Sequence, residues 1–201
     1  MAKRLGLTAD FDKLVVGEVL AGIEAGKYGN SVVAVNLAQS AVQDEMFMEW
    51  LCEALRQHGT AAAQIAFEVS EYGALDNLEA LRSAVLRVRA LGGKFGIDHF
   101  GRGFSSYGYL STLKIDYLKI DGSYVRGLAE SRENQFLVES LTTIAHGLDL
   151  KVIAESVENE QEWGVLASLR VNGVQGYGVG MPRELPSLPR PPASQPVDFK
   201  L

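Results

Sequence analysis

Six short apolar runs recur along the first 181 residues, and nearly every one finishes on a carboxylate, an amide or a lysine. The runs cover 32–36, 63–69, 94–98, 117–120, 151–155 and 171–175. Their polar ends are Asn36, Glu68, Asp98, Lys119, Glu155 and Gln175. Helical patterns at 8–24, 45–57, 76–90, 133–148 and 159–169 separate most of them. A near-continuous apolar strand is buried on both faces, and strands alternating with helices imply a parallel sheet covered on both sides. A doubly wound open sheet gathers its ligand at one switch point and has no use for six polar strand ends. An α/β barrel brings strand ends to one mouth. The expected fold class is therefore α/β, a modified TIM-type barrel.

A closed barrel of this type has eight strands, so the expectation is an incomplete one, about six of eight, with the opening strands missing. That would leave a sheet edge open to pairing, and a homodimer through this edge or a helix is expected. In the first helix, Phe11, Leu14, Val15 and Val19 share a face. Asn159 and Glu162 have the spacing of a capping box. Gly92 and Gly93 close the third helix, and a glycine-rich loop follows the third strand in place of a clear helix. All six prolines lie between Pro182 and Pro196. The division is thus a domain over 1–182 and an extended, proline-rich tail over 183–201.

Composition narrows the class. The length of 201 residues suits one domain, and 47% hydrophobic residues can build a core. A formal charge of −6 argues against DNA and other general nucleic-acid binding, which needs a basic face. Cys52 has no partner for an intramolecular disulfide and reads as helix packing in a reducing compartment. No apolar run approaches a membrane span, and the opening residues are amphipathic rather than signal-like. A cytoplasmic protein, or the cytoplasmic portion of a larger signalling protein, is expected. Trp50 and Trp163 read as core, His58 and His146 as helix-end residues, and Met46 and Met48 need no functional account.

The strand-end set is a hard-oxygen cluster with a lysine beside it. Mg²⁺ and Mn²⁺ favour such ligands. Two ions about 4 Å apart can activate water and stabilise the leaving oxygen of a phosphodiester. A lysine there can neutralise developing charge.

The motifs carry a family resemblance. G-I-D-H-F-G-R-G-F-S-S at 96–106 resembles the D-D-F-G-T-G-Y-S-S loop of EAL domains. I-D-Y-L-K-I-D at 115–121, V-I-A-E-S-V-E at 152–158 and Q-G-Y at 175–177 follow at the family's spacing. Upstream, V-N-L-A at 35–38 and F-E-V-S-E at 67–71 resemble the family's V-N-L-S and L-E-I-T-E. The resemblance runs from about residue 4 to 182. It implies a barrel that hydrolyses cyclic di-GMP with Mg²⁺ or Mn²⁺. It further implies Asn36, Glu68, Asp98 and Glu155 as metal ligands, and Lys119 as the holder of the attacking water. By the same resemblance Glu71 braces the loop 100–106, with Gly101 and Gly103 allowing its turns. Arg102, Asp121 and Gln175 fall on the ligand side.

Three departures qualify this. His99 stands where the family loop has a second aspartate; histidine brings one nitrogen at most and suits Mg²⁺ poorly. It reads as a drifted position in a site no longer selected for hydrolysis, with a changed metal preference as the alternative. Arg102 replaces the loop threonine and adds a cation for a phosphate. No E-x-L-x-R motif precedes the first helix, and Glu18 in G-E-V-L-A reads as a solvent-facing helical residue. The expectation is a degenerate EAL domain that binds cyclic di-GMP without efficient hydrolysis. Two alternatives stand beside it. One is an active phosphodiesterase whose opening segment lies upstream of this sequence. The other is a protein-interaction module that binds no nucleotide.

Overall fold

The computed structural model describes residues 8–102 and 107–182. The loop positions Gly103 to Ser106 and the tail over 183–201 lie outside the described residues. The described chain divides between Phe95 and Gly96 into two compact units. The first carries α1 (Thr8–Glu24), β1 (Val33–Asn36), α2 (Gln39–Val42), α3 (Glu45–Gln57), β2 (Ile65–Ser70), α4 (Glu71–Asp76) and α5 (Leu78–Ala90). The second carries β3 (Lys94–Phe100, its first two residues in the first unit), α6 (Leu110–Leu113), β4 (Tyr117–Ile120) and α7 (Gly122–Val125). It continues with α8 (Arg132–Gly147), β5 (Lys151–Ala154), α9 (Glu160–Ser168) and β6 (Gly173–Val174). β1 pairs with β2, and β3 through β6 pair successively, all parallel. Six parallel strands interleaved with helices make this an α/β fold of the TIM-barrel class, as expected. No helix among the described residues is long and apolar enough to cross a membrane.

Local chemistry sets the helix starts. Asp44 Oδ1 accepts the amides of Met46 and Phe47 at 2.9 and 3.3 Å and opens α3. Asn77 Oδ1 accepts the amide of Ala80 at 3.1 Å. This cap starts α5 two residues later than the helix expected over 76–90 and separates it from α4, which was not expected. Ser131 caps α8 through the amide of Asn134 at 3.2 Å.

The buried stripe of α1 differs from the expected one. Phe11 and Leu14 are 61% and 66% exposed, whereas Asp12, Val16, Leu20 and Ile23 are buried. An acid belongs in that stripe because Asp12 Oδ2 accepts the amide of Ala38, just past β1, at 2.9 Å. Burial pushes the Asp12 carboxyl up, and the Ala38 amide partly offsets this. Trp163 is likewise not core, being 44% exposed. Trp50 is half-buried, 5.7 Å from the Phe47 ring, with Lys13 Nζ over its indole. Cys52 is buried on α3, as expected. His58 ends α3 and pairs with Glu24 at 2.9 Å.

The second unit has its core in Ile97, Phe100, Leu110, Leu113, Leu118 and Val152, all buried. Gly96 lies opposite Tyr117, and a Cβ there would come within 2.5 Å of the tyrosine ring. β6 keeps two of the five expected strand residues. Asn172 accounts for the shortening: its Oδ1 accepts the Val152 amide at 2.7 Å and meets His146 Nε2 at 2.9 Å. The capping box opening α9 is half formed. Asn159 Oδ1 accepts the Glu162 amide at 2.9 Å, but the Glu162 carboxylate turns elsewhere. It accepts the amides of Gly127 at 2.9 Å and Glu158 at 2.8 Å. Glu162 is buried, so Glu162→Ala leaves two main-chain donors without an acceptor. Urea unfolding of that variant should show a loss of about 2–3 kcal/mol, with Glu162→Gln losing roughly half as much. A loss near zero in both would mean water replaces the carboxylate.

Candidate metal and phosphodiester site

Three consecutive strands of the second unit deliver the central cluster. Asp98 lies in β3, Lys119 in β4, and Glu155 immediately follows β5. All four residues of β4 are buried, and the pleat sends Lys119 to the face opposite Leu118 and Ile120. Lys119 Nζ lies 3.3 Å from Asp98 Oδ1 and 2.9 Å from Glu155 Oε1. The amide of Glu155 donates to the carbonyl of Ile120 at 3.1 Å, which continues the ladder past the end of β5.

Burial is the chief influence on Glu155 and pushes its carboxyl up. Lys119 pulls it down, Asp98 pushes it further up, and the net shift is upward. Glu155 Oε2 is buried and takes no hydrogen bond. A buried carboxylate oxygen without a donor fits a cation, so the donor set suits a divalent ion.

The chain turns at His99. The register of β3 on β4 shifts between Ile97 and Phe100, and His99 has φ of 54°. Histidine is among the few non-glycine residues enriched in this left-handed region. Asp98 Oδ1 accepts the His99 amide at 3.0 Å. The imidazole then faces three carboxylates. Nδ1 lies 3.0 Å from Asp121 Oδ2 and 3.3 Å from Glu155 Oε2, and Nε2 lies 3.6 Å from Asp98 Oδ2. One ligand atom each from Asp98, His99 and Glu155 falls within 4.8 Å of the others.

Asp121 caps α7, its Oδ1 accepting the Ser123 amide at 2.9 Å. Burial opposes ionisation of Asp121 most strongly. The Ser123 hydroxyl and amide, Arg102 and His99 together outweigh it and hold the carboxyl below its ordinary value. Arg102 Nε lies 3.7 Å from Asp121 Oδ1, with its side chain largely exposed. Gly101, at φ of 102°, lets the loop pass under the ring of Tyr124, whose hydroxyl donates to the Gly101 carbonyl at 2.6 Å.

The second unit therefore brings together Asp98, Lys119, Glu155, Asp121 and Arg102. Gln175 follows β6 and is exposed. Its main-chain N–H donates to the Ala154 carbonyl at 2.8 Å and its main-chain carbonyl accepts the Val157 amide at 3.0 Å. In the first unit Asn36 ends β1 in register with Glu68 of β2; Asn36 is exposed and Glu68 buried. Glu71 opens α4 and is also buried. The Gly103–Ser106 part of the loop it was expected to brace is outside the described residues. The sequence singles out His99 as a departure from the family loop but gives no sign of Ser123 or Tyr124. The position of His99 directly after Asp98 is a usable signal, whereas the Tyr124 contact leaves none.

The profile of the EAL domain family matches residues 1–182. "Cyclic di-GMP phosphodiesterase PdeB" of Shewanella oneidensis is 29% identical over 188 residues, which is 92% of this chain but 22% of that protein. The chain thus spans about a fifth of the length of that relative. The PaMucR phosphodiesterase in complex with c-di-GMP superposes with a TM-score of 0.84 at 28% identity, covering 90% of this chain and 80% of that one. A manganese and cyclic-di-GMP complex of Klebsiella pneumoniae BlrP1 has a TM-score of 0.75 at 28% identity, covering 84% and 43%.

A raised carboxyl binds its proton more tightly in the folded than in the unfolded chain. Ionised Glu155 therefore costs stability. The cost is absent below the ordinary carboxylate range and grows as pH rises through the raised value. Removing the lysine enlarges it. Lys119→Met should lose about 3–5 kcal/mol near neutral pH, where two buried carboxylates lose their counterion. The loss should shrink as the pH falls toward the ordinary carboxylate range and Glu155 takes up its proton. Chemical denaturation at neutral pH and in that range is the check, and a loss equal at both would exclude carboxylate repulsion as the cause.

Proposed function

Because the chain belongs to the EAL domain family, we propose that it binds cyclic di-GMP beside Asp98, Lys119 and Glu155 and hydrolyses it poorly with Mg²⁺. The observation that carries this reading is the cluster itself, a buried ammonium between two carboxylates with an imidazole as the third group. The relatives' names and ligands, together with the loop motif, supply the nucleotide.

In this reading Asp98 and Glu155 hold a divalent ion; Asn36 and Glu68 are proposed as metal ligands on the family's motifs alone. Bound divalent ions lower the pKa of a water and polarise a phosphoryl oxygen. Lys119 orients that water and balances the charge that grows on the phosphoryl group. Arg102 is exposed and tethered only loosely to Asp121, so it is placed to swing onto a phosphate. Asp121 limits that swing, and Gln175 lines the approach from the last strand. His99 is the weak point for Mg²⁺ chemistry, since it supplies a neutral nitrogen donor in place of an anionic oxygen.

Calorimetry with cyclic di-GMP tests the binding. Arg102→Ala should weaken it by about ten- to a hundredfold, the worth of one charge-assisted hydrogen bond. Equal affinity would remove Arg102 from the site, and no binding by wild type would favour an interaction module. Turnover tests the rest. With Mg²⁺, His99→Asp should exceed wild type by roughly 10²–10³, the typical weight of one electrostatic stabiliser. Fast wild-type production of the linear dinucleotide, abolished in Glu155→Ala, would overturn slow hydrolysis and make the chain an ordinary phosphodiesterase.

A further inference from the structure

We propose that His99 is itself a metal ligand through Nε2, oriented by Asp121 through Nδ1, and that it shifts the site from Mg²⁺ toward Mn²⁺, Co²⁺ and Zn²⁺. This rests on reading Asp98 and Glu155 as metal ligands and adds the identity of the third donor and its effect on ion choice.

The two ring nitrogens have different surroundings. Nδ1 is 3.0 Å from Asp121 Oδ2. That carboxylate is itself fixed, since its other oxygen accepts the Ser123 amide at 2.9 Å. A carboxylate accepting from one nitrogen of a histidine leaves the lone pair on the other, and this pairing is the usual support of a histidine on a metal. Nε2 is thereby the nitrogen left to ligate, and it is the one facing Asp98, at 3.6 Å from Oδ2. Two donors about 2.1 Å from one ion stand roughly 3.0 Å apart at right angles and roughly 4.2 Å apart when opposite. The observed 3.6 Å lies between these. Glu155 supplies the remaining carboxylate: its Oε2 is buried, without a hydrogen bond and 3.3 Å from Nδ1, and Asp98, His99 and Glu155 each offer a ligand atom within 4.8 Å of the others.

The backbone points the same way. His99 is held at φ of 54° with its amide tied to Asp98 Oδ1 at 3.0 Å. A left-handed non-glycine residue costs about 1–3 kcal/mol and persists where the surroundings demand it. Here the turn swings the imidazole over the carboxylates instead of leaving it in solvent. The ring remains 52% exposed, so an ion and its waters can reach it. Mg²⁺ takes oxygen donors almost exclusively, whereas the affinity of nitrogen-containing sites rises along the first-row series from Mn²⁺. A rival account makes His99 an imidazolium that replaces the ion's charge. It requires both nitrogens to carry protons and no nitrogen–metal bond.

The deciding measurement uses the full chain and Mn²⁺ alone. Pulsed electron paramagnetic resonance of the wild-type complex should show modulation from a directly bound nitrogen. That signal should vanish in His99→Asp, a variant whose side chain also tolerates the left-handed backbone. In competition, His99→Asp should move the Mn²⁺-to-Mg²⁺ preference at least about tenfold toward Mg²⁺, and Asp121→Asn should weaken Mn²⁺ binding by about 10–100-fold. Mn²⁺ bound by wild type without nitrogen modulation overturns the inference and leaves Asp98 and Glu155 as ligands. An unchanged ion preference in His99→Asp also overturns it. Failure of wild type to bind Mn²⁺ at all overturns both readings. If the aspartate variant does not fold, the wild-type spectrum decides alone.

Discussion

Lys119 places its ammonium 3.3 Å from Asp98 and 2.9 Å from Glu155, with only 6% of its side chain exposed. A buried ion is tolerated only when paired, so this contact constrains the three strands that make it. In the observed register Lys119 lies against Ile153, and Ile120 against Ala154. A slip of one residue would turn Lys119 to the opposite face and leave three charges buried without partners. The loop after β3 and the start of α7 then follow from where β3 and β4 stop. The Asp121 amide donates to the Phe100 carbonyl at 3.1 Å, which brings the Asp121 carboxylate up to the imidazole.

Much of this architecture is legible in the order of residues. The helices Thr8–Glu24 and Glu45–Gln57 have the expected bounds, because long periodic segments carry strong signals and Asp44 marks a start. The strands are found to within a few residues. What fails is the direction in which a helix faces. Phe11 and Leu14 outnumber the polar residues on their side of α1, but the buried stripe is set by where Ala38 needs an acceptor. Periodicity cannot register a donor contributed 26 residues away. Glu162 is a similar case: its spacing from Asn159 suggests a local reciprocal cap, while its carboxylate serves Gly127 and Glu158.

At the site, Asp98, Lys119 and Glu155 could be named in advance because each lies at or next to the end of a recognisable apolar run. Asp121 was legible as part of a motif, though its contact with His99 was not. The left-handed backbone at His99 and the carboxylates its ring faces were not legible, because both depend on the folded turn after Asp98. No pattern in the sequence announces that Tyr124 closes over Gly101, since the two are brought together only by the folded β3–α7 connection.

The left-handed backbone at His99 has a consequence for how this position can change over generations. A residue held at φ of 54° excludes β-branched and bulky side chains on steric grounds and favours asparagine, aspartate, histidine and glycine. The codons of aspartate, asparagine and histidine differ from one another only in the first base. The geometry thus confines the position to a small neighbourhood whose members are mutationally adjacent yet differ in charge and donor type. Ion preference at this site is a trait that point mutation can reset without disturbing the fold, so it is expected to vary among otherwise similar chains more readily than the scaffold does.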